Sequence, residues 1–294
     1  MATKKRTRAK TVKTVKTVKT TKPAKVVHKE TKVEGVRRIC NLVPSKGTEK
    51  DWKFGDALAS GALGAVAAPP PSVDLRQAWW TIGDQGQTGS CVGWASAEGV
   101  VRYHMVAARK LKRAEQLSPR YVWMSSKETD EFTQRPESFV EEAGTSLKTA
   151  MDVCRKFGVA TMEMLPFSIS TLMYTGTENT FYATAAQRKI SAYFNLAKNL
   201  NQWKAWLAAH GPILAGLSVD QTWDNASATQ GNLDTFQPNT VRGGHAIAIV
   251  GYTVTGRFIV RNSWGTAWGD NGFAYASPAY ITGGFFDESY GVTV

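Results

Sequence analysis

Cysteine is scarce in this chain: three in 294 residues, Cys40, Cys91 and Cys154. So sparse and odd a set excludes a disulfide-built scaffold and suits a reducing, intracellular (cytoplasmic) compartment. No apolar run is long enough to span a bilayer, so no membrane partner is expected. The N-terminus lacks the apolar core that a secretory signal carries behind its basic residues. The stretch "ALASGALGAVAA" at 57–68 imitates such a core, yet it starts deep in the chain and runs into "PPP"; it reads as a linker. Excess charge is missing from most of the molecule. Residues 1–38 hold fourteen Lys and Arg against two Glu, while the remaining 256 hold 22 basic and 22 acidic groups. The whole net charge of +12 therefore lies in a tail. That tail also lacks aromatics, so it offers phosphate contacts without a base-reading surface. Non-specific, salt-sensitive nucleic-acid binding is the expectation, with a solubilising role as the alternative.

What remains is ample for a core, with 43% hydrophobic and 11% aromatic residues. The Lys/Thr-rich segment 1–38, with its "KTVKTVKTV" repeat, is too poor in apolar surface to fold and is expected to be disordered. Segment 39–71 reads as a linker or short pro-segment, able to block a cleft as an extended strand. The compact body is expected over 72–294. Within it, apolar spacing predicts helices at about 91–110, 119–127, 145–157 and 200–211. Cys154 falls on the apolar face of the third and reads as core. "HAIAIVGY" and "RFIVRNS" read as strands of a hairpin turning at 253–256. After Gly158 only strands and loops are expected apart from the 200–211 helix. Helices first and strands second predict an α+β body in two halves.

The stretch "GDQGQTGSCVGW" at 83–94 sets Cys91 on the first turn of a helix that leaves a glycine-rich bend, with Ser90 as its cap. A thiol there feels the positive helix end, which favours the reactive thiolate; a buried structural cysteine is the competing reading. In the hairpin, His245 opens the first strand after two glycines and Asn262 closes the second. With 252 paired to 257, residue 262 faces 247, which brings His245 and Asn262 together. An asparagine carbonyl there can fix the imidazole tautomer and turn its other nitrogen toward a thiol.

"QGQTGSC", "GGHAIAIVGY" and "IVRNSWGTAWGDNGF" resemble the papain family of cysteine peptidases, bacterial-type members most, over about 72–294. The resemblance implies a two-lobed α+β fold, with a helical left lobe carrying the nucleophile helix, a β-rich right lobe, and a cleft between them. It implies Cys91 as nucleophile, His245 as general base and acid, Asn262 as the group orienting the imidazole, and Gln85 as an oxyanion donor beside the Cys91 backbone N–H. Gly144 then lines the substrate wall, Ala246 the specificity pocket, and Trp264 shields the His–Asn bond from water. A polypeptide substrate follows, with no cofactor, no metal and a monomeric enzyme. Departures are the Thr88 and Val92 that stand where the family signature has cysteine and an aromatic, Gly244 where a carboxylate is common, and an insertion expected near 126–143. Cysteine-dependent acyl transfer on the same fold, and a nucleic-acid- or particle-associated protein docked by its tail, are the alternatives.

Overall fold

A computed structural model describes residues 38–129, 143–168 and 178–294. The basic tail, apart from Arg38, lies outside the described residues, as does most of the 126–143 segment. Short helix α1 (Phe54–Ala59) comes first, followed by strand β1 (Val73–Asp74). The chain then enters α2 (Cys91–Gly93), a π-helical stretch (Trp94–Val101) and α3 (Arg102–Ala107), which follow one another without a break. Helices α4 (Pro119–Thr129), α5 (Leu147–Lys156) and α6 (Glu178–Ala185) complete the first half. The second half runs β2 (Ala192–Asn195), α7 (Leu200–Ala209), β3 (Ile213–Val219), α8 (Gln221–Asp224), β4 (Asn232–Leu233), β5 (Gly243–Tyr252), β6 (Phe258–Arg261), β7 (Phe273–Ala276), α9 (Pro278–Gly284) and β8 (Phe285–Thr293). The strands form one sheet in the order β2-β8-β3-β5-β6-β7-β4, with β1 on β5.

Strand β5 divides the interior. Its side chains alternate between faces. Ala246, Ala248 and Val250 turn to a core shared with the helices, including Val92, Val101, Leu147 and Met151. Ile247 and Ile249 turn to a second core of Trp203, Trp206, Trp223, Trp264 and neighbouring aliphatics. The result is the expected α+β body, one helical and one β-rich half meeting along β5.

Several expectations are corrected. The first long helix ends at Ala107 rather than near 110, because Arg109 takes a left-handed backbone with φ of 59°. Besides the single turn α8, helices α6 and α9 follow Gly158, where only strands and loops were expected apart from α7. The former buries only Phe181 and Ala185, too few positions to announce a helical stripe, and the latter is announced by the Ser277 cap and Pro278. The hairpin closes with Tyr252 opposite Phe258, one residue later than expected. An irregularity between Ile249 and Gly251 then absorbs the extra residue, so Ala248 faces Arg261 and Asn262 still arrives beside the Ile247 level. The compact unit also starts before residue 72: Phe54, Ala57 and Leu63 are buried in the second core. The exposed part of the connector shrinks to 59–62 and 64–72, within which Val66 is half-buried.

Candidate active site

The bend at 83–90 is pinned by hydrogen bonds from Thr88, which stands where the family signature has a cysteine. The Thr88 hydroxyl donates to the Gln85 carbonyl (2.7 Å) and meets the Ser90 hydroxyl at 2.6 Å. Ser90 is thereby diverted and makes no side-chain cap, contrary to expectation. Cys91 opens the helix and is completely buried. Gln85 is buried as well. Its backbone N–H donates to the Ser263 carbonyl (2.8 Å), and its side-chain oxygen accepts from the Ser263 hydroxyl (2.9 Å). With the oxygen engaged, the amide nitrogen is the end left to donate into the cleft.

His245 lies on the β5 face that carries Ile247, among indoles: Trp264 at 5.0 Å and Trp223 at 5.7 Å between ring centroids. Its Nε2 is 2.7 Å from Asn262 Oδ1, which also accepts from the Ser263 N–H (2.8 Å). An amide oxygen only accepts, so Nε2 carries the proton and Nδ1 is the free base. Nδ1 is buried with no hydrogen-bond partner among the described residues. Trp264, 6% exposed, covers the pair. The Ala246 backbone N–H lies against the Cys91 sulfur. Cys91, His245, Asn262, Gln85, Ala246 and Trp264 thus meet where the helical half joins β5.

Gly144 lies across the same cleft, where the chain's own residues 38–45 approach it closely, at the head of the segment read from sequence as able to block a cleft. The Arg38 guanidinium pairs with Asp84 (2.6 Å) on the Trp264 side. The Ile39 carbonyl lies 3.4 Å from Gln85 Nε2, which also donates to the Thr88 carbonyl at 3.0 Å. Leu42 N–H donates to the Gly244 carbonyl (3.0 Å) and Val43 N–H to that of Thr145 (3.2 Å). The approach is so close that a Cβ on Gly144 would fall 2.0 Å from the Asn41 carbonyl oxygen, and one on Gly243 2.0 Å from that of Cys40. Leu42, 5% exposed, fills a pocket bounded by Gly216, Gly244, Leu147 and Phe286. Arg242 adds a cross-tie, donating to the Arg38 carbonyl (2.7 Å) and the Cys40 sulfur (3.2 Å) while paired with Asp224. The strand is anchored beyond the cleft where Ser45 N–H donates to Glu288 (3.1 Å).

Burial opposes the charge state that helix position alone favours. Burial pushes the Cys91 thiol up to about 11, against smaller opposing effects of nearby backbone N–H groups. Burial also holds His245 down to about 4; the Asn262 bond opposes this and the Arg242 charge adds to it. Burial thus disfavours both the thiolate and the imidazolium in this closed state. A pH window follows. The closed state binds fewer protons at His245 between its ordinary value near 6.5 and about 4, so acid favours opening through that range. It binds more at Cys91 between an ordinary value near 8.5–9 and about 11, so alkali favours opening there. Closure is therefore expected to be tightest from about pH 6.5 to 9. Amide exchange at Leu42 and Val43, corrected for intrinsic rates, should quicken roughly ten- to hundredfold from pH 7 to 4.5. A flat profile would contradict the assignment of neutral His245 to the closed state.

Among the described residues no group of three His, Cys, Asp or Glu side chains is placed to hold a metal ion, and no helix is long and apolar enough to cross a membrane. The family model described as "Papain family cysteine protease" matches residues 69–282. The chain belongs to the papain family of cysteine proteases. Cysteine proteinase 1 of Dictyostelium discoideum is 25% identical over 211 residues, covering 68% of this chain and 58% of that protein. Ananain of Ananas comosus is 26% identical over 222 residues, covering 71% and 56%. The chain thus spans little more than half the length of these papain-family relatives. In fold it is similar to xylellain, a cysteine protease from Xylella fastidiosa, with a TM-score of 0.72 at 22% identity over 88% of this chain and 97% of that one. It is also similar to procathepsin L2 from the Tenebrio molitor larval midgut, with a TM-score of 0.64 at 17% identity over 87% and 78%.

Proposed function

We propose that this papain-family protein is a thiol endopeptidase, held latent by its own residues 38–45. The observation that carries the reading is the 2.7 Å His245–Asn262 bond, which leaves Nδ1 as a free base in the cleft that holds Cys91 and Gln85. When the strand withdraws, His245 Nδ1 takes the Cys91 proton and the thiolate attacks a peptide carbonyl. The oxygen, gaining charge, is met by the Gln85 side-chain N–H and the Cys91 backbone N–H. The imidazolium then protonates the departing amine, and a water activated by the same nitrogen releases the acyl group. Asn262 keeps the ring aligned throughout.

Hydrolysis of fluorogenic peptides by the strand-opened chain, and its loss in Cys91→Ser, tests the reading. Transfer of the acyl group to an added amine in preference to water would make the protein an acyl transferase instead. The segregated charge of residues 1–38 supports a second role, weak docking on nucleic acid. Duplex binding that falls steeply with salt and disappears when the tail is deleted tests it; equal binding by the truncated protein would remove it.

A further inference from the structure

Resting on the peptidase reading, we propose that Asp84 selects substrates carrying arginine or lysine on the leaving-group side of the scissile bond. Three placements support it. We assign the acyl half of a substrate to the Gly144 wall and the pocket that holds Leu42, which leaves the opposite end of the cleft for the leaving half. That end is formed by Trp264 and Asp84, whose backbones bridge. Asp84 directly precedes Gln85, the oxyanion donor, and while Arg38 lies on Asp84 the carbonyl of the next residue, Ile39, lies 3.4 Å from Gln85 Nε2.

The carboxylate is also preset for a guanidinium. Its Oδ1 accepts the Gly86 N–H (2.8 Å), which fixes its plane. Arg38 lies on it in a two-pronged arrangement, Nη1 to Oδ1 at 2.6 Å and Nη2 to Oδ2 at 2.9 Å, while Nη2 also reaches the Trp264 carbonyl at 3.4 Å. Planar forks of this kind match a carboxylate in direction as well as charge. Arg38 is 15% exposed there and Asp84 50%. Once Arg38 leaves with the strand, a half-exposed anion remains beside the path of the leaving group. The same pair therefore serves two states: Arg38 occupies the site while the enzyme is closed, and a basic substrate residue occupies it during turnover. A half-exposed pair contributes modestly, so the preference is expected to be graded rather than absolute.

The test uses the full chain carrying Arg38→Ala and Leu42→Asp, which removes the resident arginine and opens the strand. Internally quenched peptides differ only in Arg, Lys, Gln or Glu at the first two leaving-side positions. Expected is a kcat/KM about three- to fivefold higher for Arg or Lys than for Gln, lower still for Glu, and weakened by 0.5 M salt. Adding Asp84→Asn should compress the Arg-to-Glu ratio to within about twofold. Cleavage of all the peptides alike, or an Arg preference unchanged in Asp84→Asn, overturns this proposal while leaving the peptidase reading standing. Failure to cleave any of them overturns both.

Discussion

Leu42→Asp should raise peptide hydrolysis by the full-length chain at least tenfold at pH 7. Leu42 is nearly fully buried against Leu147 and Phe286 and is the main apolar anchor of the covering strand. Burying a leucine side chain contributes about 1.5–3 kcal/mol, and a carboxylate in its place adds a desolvation cost with no partner in that pocket. The strand can escape this cost by leaving the cleft, whereas a core residue could not. Opening admits water and substrate together, so the Cys91 and His245 shifts that burial causes should relax at the same time. Leu42→Ala should give a smaller rise in the same direction. An unchanged thermal transition of the Leu42→Asp chain, measured alongside, separates opening from unfolding. A chain that stays folded and gains nothing would show that residues 38–45 do not gate the site.

In that opened background, His245→Ala should lower kcat at least a thousandfold, because the imidazole both takes the thiol proton and returns it to the leaving amine. Asn262→Ala removes no proton carrier and should cost about ten- to a hundredfold through ring misalignment, with the pH profile displaced. Gln85→Ala should fall between, at about a hundred- to a thousandfold, as expected for one oxyanion donor. The order matters more than the values. Asn262→Ala more damaging than His245→Ala would exclude the roles assigned to them.

The placement of His245 beside Asn262 was legible in the sequence because it depends on strand pairing, whereas Gln85 entered only through the resemblance to the papain family. Cys91 follows a glycine-rich bend, and His245 and Asn262 are tied by strand pairing, so a register error at the turn was cancelled by the irregularity near Val250. The α+β division was legible from the change of apolar period after the first helices. Helix α6 was not, since its buried face is only two residues wide. Nor could spacing reveal the true start of the compact unit. Phe54 and Leu63 are ordinary apolar residues in an Ala/Gly-rich stretch, and only tertiary packing against Trp206 and its neighbours buries them. The burial of Cys91, which pushes its thiol up, was hidden for the same reason. Helix position favours a thiolate, but a strand more than forty residues earlier in the chain removes the water that would sustain it.

Thiol labelling with an epoxide inhibitor, followed by peptide mapping, tests the central claim most directly. Burial pushes Cys40 and Cys154 up to about 12 in the closed chain, and Cys91 to about 11, so none should react readily near neutral pH. In the Leu42→Asp chain Cys91 should be labelled at least tenfold faster than Cys40 or Cys154, and His245→Ala should slow the labelling of Cys91 at least tenfold. Labelling of Cys154 or Cys40 as fast as Cys91 in the opened chain, or an unreactive Cys91 there, would contradict it.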